Sequence, residues 1–173
     1  AIINEFTAQN LSEVLGEIGG TDIAPKTDQD GITTVSAKFE GEPAHFTMVG
    51  CAAAKSCRDL QMWILFNADG DRFNATFANG FNGAWLDATA YAREDRTLML
   101  RTLLISNGGL TREHIKEVFK VFLNSPKLLA EFSRTQGTVA LLPDGIKTLS
   151  GAAAGTREPY VPLGEVARRS LPK

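Results

Sequence analysis

The segment Leu60–Phe66 constrains the fold more than any other part of the chain. Leu60, Met62, Ile64 and Phe66 fall on one side of an extended backbone, and Trp63 and Leu65 on the other. A strand that is apolar on both faces is either central and covered twice, or central with a patch that a partner covers. In the first case the C-terminal tail is the expected shield on the Trp63 side. Both cases require flanking strands and at least one packed layer.

The flanking sequence supplies them. Ile32–Phe39 and Ala44–Cys51 have alternating or β-branched character, and the turn Glu40-Gly41-Glu42-Pro43 between them predicts a hairpin. Leu86–Arg93 and Thr97–Ser106, joined by Glu94-Asp95-Arg96, predict two more strands, antiparallel because the connection is short. Leu11, Val14, Leu15 and Ile18 stand at helical spacing, with Asn10 and Glu13 close to a capping box and Gly19-Gly20 as the stop. The polar stretch Thr21–Gly31 reads as a loop.

Phe73, Phe77 and Phe81 are four apart and predict a short helix, against the poor propensity of Gly80 and Gly83. Thr111 is a good N-cap for a long helix with Ile115, Val118, Phe119, Phe122 and Leu123 on one face. Ser125-Pro126 marks a restart that continues to about Arg134. The expected fold class is α+β: helix, three-stranded antiparallel segment, helix, two further antiparallel strands, C-terminal helix. Residues 135–173 turn to Gly, Pro, Ala and Thr, so a domain over 1–134 followed by an extended tail is expected.

Composition narrows the function. The chain of 173 residues suits one domain, and 43% hydrophobic with 22% charged residues is enough to bury a core. Lys and Arg number 18 against 20 Asp and Glu, a net charge of -2, so the basic excess of a nucleic-acid binder is missing. No apolar run approaches the ~18–20 residues needed to span a bilayer. A chain that starts at Ala1 without Met or an apolar leader fits a mature exported protein or a trimmed one.

Cys51 and Cys57 stand close together across small residues. A disulfide pinning a tight strand connection is the expectation, which implies an oxidising compartment. Two buried reduced thiols are the competing reading, while a zinc site lacks further ligands near either cysteine.

The remaining motifs fail at named residues. Asn67, Asp69 and Asp71 alternate like a calcium loop, but Arg72 and Ala78 stand where that loop needs Gly and Glu, so a turn with an acidic helix start is expected. Asn74-Ala75-Thr76 meets the glycosylation triplet by pattern only. His45 and His114 have no nucleophile context and read as solvated. Glu113 and Glu117 are interleaved with Arg112, Lys116 and Lys120, which reads as a solvated charged face. Gly151–Thr156 lacks the Lys of a phosphate loop. No catalytic set, cofactor or metal site is expected.

The run from Phe73 through Asn79-Gly80-Phe81-Asn82 to Tyr91, followed by Leu98-Met-Leu-Arg-Thr-Leu-Leu-Ile-Ser-Asn-Gly-Gly109 and the helix to Phe132, resembles the bacterial YbjN-domain family, described as sensory transduction regulators. The cysteine pair ahead of Leu60-Gln61 is similar too. The resemblance spans roughly residues 9–134 and implies a fold like that of type III secretion chaperones, with a role through protein contacts. It carries no catalytic residue over. The resulting expectation is a non-enzymatic protein-binding module, chaperone-like or a regulatory adaptor, periplasmic or secreted, with a cytoplasmic location as the alternative. Its partner would sit on Trp63 and Leu65 or on Phe77 and Phe81. A carrier of a small apolar ligand is the second reading, and a homodimer is compatible with either.

Overall fold

In the computed structural model, which describes residues 1–53, 56–67 and 72–139, Leu60–Phe66 lies within a central strand. The elements are β1 (Ile2–Ile3), α1 (Ala8–Glu17), β2 (Thr21–Thr27), β3 (Thr33–Phe39), β4 (Glu42–Ala53), β5 (Ser56–Asn67), α2 (Ala75–Ala84), β6 (Thr89–Ala92), β7 (Thr97–Ile105), β8 (Leu110–Thr111), α3 (Arg112–Leu123) and α4 (Ser125–Val139). A six-stranded antiparallel sheet runs β2-β3-β4-β5-β7-β6, and β1 pairs with β8 in a separate two-stranded sheet. The chain divides into a unit Ala1–Phe132 and a unit Ser133–Lys173. Of the second unit, the last turns of α4 are described.

The core has one side. Val35, Phe46, Met48, Leu60, Met62, Ile64, Leu98 and Leu100 point from the sheet into a cluster with Leu11 and Leu15 of α1, Phe77 and Phe81 of α2, Phe119 and Phe122 of α3, and Leu129 and Phe132 of α4. Phe46 meets Phe119 at 5.0 Å, and Phe132 receives Phe77 at 5.3 Å and Phe81 at 5.8 Å. Aromatic side chains of that size dominate core energetics. Among the described residues, these side chains form one buried cluster between helices and sheet.

Several expectations are corrected. Thr21–Gly31 is not a loop throughout, because Thr21–Thr27 forms the edge strand β2 and its outer side needs no apolar residues. The turn to β3 is set by Asp28 Oδ1, which accepts from the Asp30 and Ile32 amides. The N-terminal antiparallel segment therefore has four strands, not three. In α1 the cap is Thr7: its Oγ1 accepts from Asn10 N at 3.1 Å while Asn10 Oδ1 accepts from Thr7 N at 3.0 Å. Thus Asn10 closes the box as its third helical residue and Glu13 takes no part in it.

Helix α2 passes through Gly80 and Gly83 because Phe77, Ala78 and Phe81 are buried against the core, which outweighs propensity. Its N-cap is Asn74 and its first turn carries no acid, so the acidic start expected there is absent. Asp69 and Asp71 of the calcium-like pattern lie outside the described residues. Leu86 is exposed and precedes the strand, which is only Thr89–Ala92. Helix α4 begins at Ser125 as expected, although the Ser125 hydroxyl has no partner and does not cap it. The helix also runs past Arg134 to Val139, so the chain is not extended from 135, and residues 140–173 lie outside the described residues.

The two outer strands are closed to further pairing by different means. On β2, Pro25 has no amide hydrogen, Lys26 adds charge, and the register slips between Thr21 and Ala24 around Asp22, whose φ is 50°. Each of these blunts an edge. On β6 the Asn82 carboxamide does the same work: Ala90 N donates to its Oδ1 at 2.6 Å and its Nδ2 donates to Ala90 O at 3.0 Å. A side chain thereby takes both main-chain groups that Ala90 turns to this edge.

Helices α1 and α3 are tied by charge across their exposed rims. Arg112 Nη2 lies 2.7 Å from Glu17 Oε1 and 3.3 Å from Glu13 Oε2, and Lys116 joins Glu17 at 3.5 Å and Glu113 at 2.6 Å. Hydrogen bonding from Arg112 holds the Glu17 carboxyl below its usual range.

Asn82→Ala should lower unfolding free energy by about 1–2 kcal/mol, since two partly buried backbone groups lose their partners. Guanidinium titration reads this directly. A change within about 0.5 kcal/mol, typical of an inert surface substitution, would mean that water replaces the carboxamide without loss.

Candidate functional site

The opposite face of the sheet carries no helix among the described residues, and it is where Trp63 and Leu65 lie. The register builds it in rows. One row is Ser36, His45, Trp63, Arg101 and Thr89 across β3, β4, β5, β7 and β6. Beside it run Leu65, Met99 and Tyr91 on one flank, and Thr34, Thr47, Gln61 and Leu103 on the other. A further row holds Val49, Asp59 and Ile105.

Lateral contacts engage Thr34, Ser36, His45, Thr47, Trp63, Tyr91 and Arg101 of this face and leave apolar surface outward. The Trp63 indole N–H donates to Thr47 Oγ1 at 2.9 Å, and the Thr34 and Thr47 hydroxyls lie 2.9 Å apart. The His45 ring stacks on Trp63 with centroids 4.1 Å apart, and its Nδ1 sits 2.8 Å from Ser36 Oγ. Arg101 lies 4.2 Å from the Tyr91 ring centroid and donates to the Tyr91 hydroxyl at 2.8 Å. Such a stacked cation gains from the ring quadrupole while staying wet. Leu103 is 55%, Ile105 57% and Tyr91 39% exposed, and Trp63 and Leu65 are half-buried.

Phe77 and Phe81, expected as an alternative contact surface, belong to the core at 3% and 0% exposure. Their four-residue spacing does put them on one helical face, but that face meets Phe132. Sequence reasoning missed Met99, Arg101, Leu103 and Ile105. A signal existed: Thr97–Ile105 is apolar on both sides, as Leu60–Phe66 is. His45 is partly buried instead of fully solvated, whereas His114 is exposed at the start of α3. Glu113 and Glu117 pair with Lys116 at 2.6 Å and Lys120 at 2.7 Å, the charged face expected of them.

At one end of this face Cys51 and Cys57 are joined in a disulfide, directly opposite each other in the β4–β5 register. Cys57 also exchanges both main-chain hydrogen bonds with Phe6, at 2.7 and 2.9 Å. The same residue therefore holds the hairpin and the N-terminal segment. Nearby, the Ser106 hydroxyl lies within hydrogen-bond distance of the Asn4 and Arg58 carbonyls. Gly109, at φ 85°, leaves room where a side chain would strike Asn4 and Ile2.

Among the described residues no cluster of three or more His, Cys, Asp or Glu side chains could hold a metal ion, and no helix is long and apolar enough to cross a membrane. Two surface grooves are present, one of about 390 Å³ around Phe73, Ala92 and Arg93 and one of about 440 Å³ between Leu86 and Val118, Val121 and Phe122 of α3.

Residues 7–131 match the YbjN family, whose description is "Putative bacterial sensory transduction regulator". The chain belongs to the YbjN family. Among curated proteins nothing matches the sequence. The fold is similar to that in the crystal structure of an uncharacterized protein from Methanothermobacter thermautotrophicus, at a TM-score of 0.54 and 8% identity, over 75% of this chain and 98% of that one. At such identity the likeness is one of fold alone. Within the YbjN segment, Asn82 of the phenylalanine-asparagine run is the residue that closes the β6 edge.

Partial burial pushes the His45 imidazole below its usual value of 6.5. The unfolded chain then binds this proton more readily than the folded one, so stability is full above pH 6.5 and declines as pH falls through it toward the folded value. Urea midpoints taken from about pH 8 to about pH 5 should show the decline in the native chain and less of it in His45→Gln. Equal slopes in the two would remove His45 as the cause.

Proposed function

We propose that this YbjN-family chain is a non-enzymatic protein-binding module, a chaperone-like or regulatory adaptor that docks its partner on the open face of the sheet. The observation that carries the reading is the exposure of Leu103 and Ile105 beside Trp63 and Leu65, on strands whose other side is already core. A contiguous apolar patch on an otherwise well-packed domain marks a contact site. Pro25 and Lys26 on β2 and the Asn82 bonds to Ala90 on β6 disfavour strand addition at those points, which supports contact through the face.

Among the described residues the buried side chains form one cluster between helices and sheet, and the two grooves named above are open at the surface, which supports the docking reading over a ligand carrier. Residues in acid–base positions on α3 are engaged with lysines, which supports a role without catalysis. Family membership supports a regulatory role. An exported location, periplasmic or secreted, is supported by the Cys51–Cys57 bridge, since such bridges persist in oxidising compartments.

A photocrosslinking residue at Leu103 should capture a partner in the native cell, while one at the exposed Thr76 on α2 should not. Leu103→Asp should abolish a partner complex while changing stability by only about 0.5 kcal/mol, as expected at an exposed site. Capture from both positions, or a complex indifferent to Leu103→Asp, would place the contact elsewhere.

The export reading has its own test. Alkylation of protein taken from cells and denatured without reductant should leave Cys51 and Cys57 unlabelled, and their reduction should cost about 2 kcal/mol of stability for a loop this short. Full labelling of both would remove the compartment argument.

A further inference from the structure

The open face also carries charge, and its pattern specifies the partner further, given that the face is the docking surface. The whole chain has a net charge of -2, yet the open face presents Lys26 and Arg101 against Asp59, with Lys38 neutralised by Asp22 at 2.9 Å. Arg101 stands in the middle of the apolar patch. It lies between Met99 and Leu103 along β7, with Trp63 beside it on β5. Among the described residues its contacts are with Tyr91, and no carboxylate reaches it. A cation surrounded by apolar side chains is left ready for an anionic group brought by something that also covers those side chains.

The backbone argues about the partner's shape. In this patch β5 is paired on both sides, with β4 and β7, and β7 is paired on both sides, with β5 and β6, over Leu98–Arg101, while beyond Arg101, among the described residues, the outer side of β7 has no strand beside it. An extended peptide laid on the face would lose water from its own amides and gain no main-chain partner. A helix satisfies its amides internally. Its diameter of about 10 Å matches the span of about two strand spacings from β5 across β7 to β6.

We infer that the open face binds an amphipathic helix of a partner protein whose apolar stripe is interrupted by one carboxylate, with the apolar residues on Trp63, Leu65, Met99 and Leu103 and the carboxylate on Arg101. Recognition divides between the two parts. The apolar contacts supply affinity, and Arg101 selects for the acid.

The test uses the full chain and three labelled synthetic helical peptides: a leucine stripe interrupted by one Glu, the same peptide with Lys in place of that Glu, and a scrambled sequence of the first. Fluorescence anisotropy should show the Glu peptide binding at least ~10-fold tighter than the Lys peptide, as expected for one close charge pair against one repulsion, and the scrambled peptide not binding. Arg101→Glu should reverse the order, and Arg101→Lys should retain a weaker preference for the Glu peptide, with circular dichroism confirming that both variants fold. The preference should shrink as salt rises.

Equal binding of the Glu and Lys peptides to the native chain overturns the inference without any variant. So does binding to anionic phosphatidylglycerol vesicles with no preference between peptides. If no peptide binds while Leu103 still crosslinks a partner in the cell, the partner is of another kind and the docking reading stands. If Leu103 captures nothing, the docking reading itself fails.

Discussion

Helices pack on one side of the six-stranded sheet in the described fold, and that asymmetry governs the rest of the structure. β5 and β7 each carry two apolar sets but receive only one core. Leu60, Met62, Ile64, Leu98 and Leu100 go inward, and Trp63, Leu65, Met99, Leu103 and Ile105 are left outside. Antiparallel sheets commonly show a polar set on the wet side, so this one departs from the usual alternation at its centre. The departure is contained by lateral bonds, since the Trp63 indole, His45 and Arg101 each find a partner on a neighbouring strand. Such a face stays in water without leaving its polar atoms unpaired.

Rigidity of the face follows from how its end is anchored. β5 runs on past Asp59, the last residue paired with β7, and there Phe6 takes the place of β7 beside Cys57, the Ser106 hydroxyl reaches the Asn4 and Arg58 carbonyls, and the Cys51–Cys57 bridge ties β5 to β4 on the other side. Phe6 is itself buried at 1% exposure, so the N-terminal segment is a packed element of the domain. A surface held in one shape loses less entropy on binding than one that must order first. The anchoring at Cys57 therefore connects the redox chemistry of two cysteines to the rigidity of the open face.

Much of this was legible in the sequence, and what was not has physical reasons. Periodicity located α1, the β3–β4 hairpin, β5, β7 and α3, because each buries a regular apolar set. It missed β2, since an edge strand paired on one side can consist of Thr, Asp, Pro and Lys. It placed Phe77 and Phe81 on one helical face and could not say that the face meets Phe132, a residue far along the chain. Trp63 and Leu65 were found because β5 announces two faces. Arg101 was missed because a charge within an apolar strand reads locally as the solvent side, and only the register across β5, β7 and β6 sets it between Trp63 and Thr89, within reach of Tyr91.

Binding through a face has different consequences from binding through an edge. Strand addition uses a ladder of main-chain hydrogen bonds that are largely indifferent to the partner's side chains. Contact through a face uses side chains alone, so affinity there rests on a few anchors and on the charge among them. The exposed patch comprises Trp63, Leu65, Tyr91, Met99, Leu103 and Ile105, with Arg101 among them. In contacts made through a few side chains, discrimination comes from charge placement more than from area. On the β6 edge, Asn82 occupies both main-chain groups of Ala90 and so hinders strand addition there.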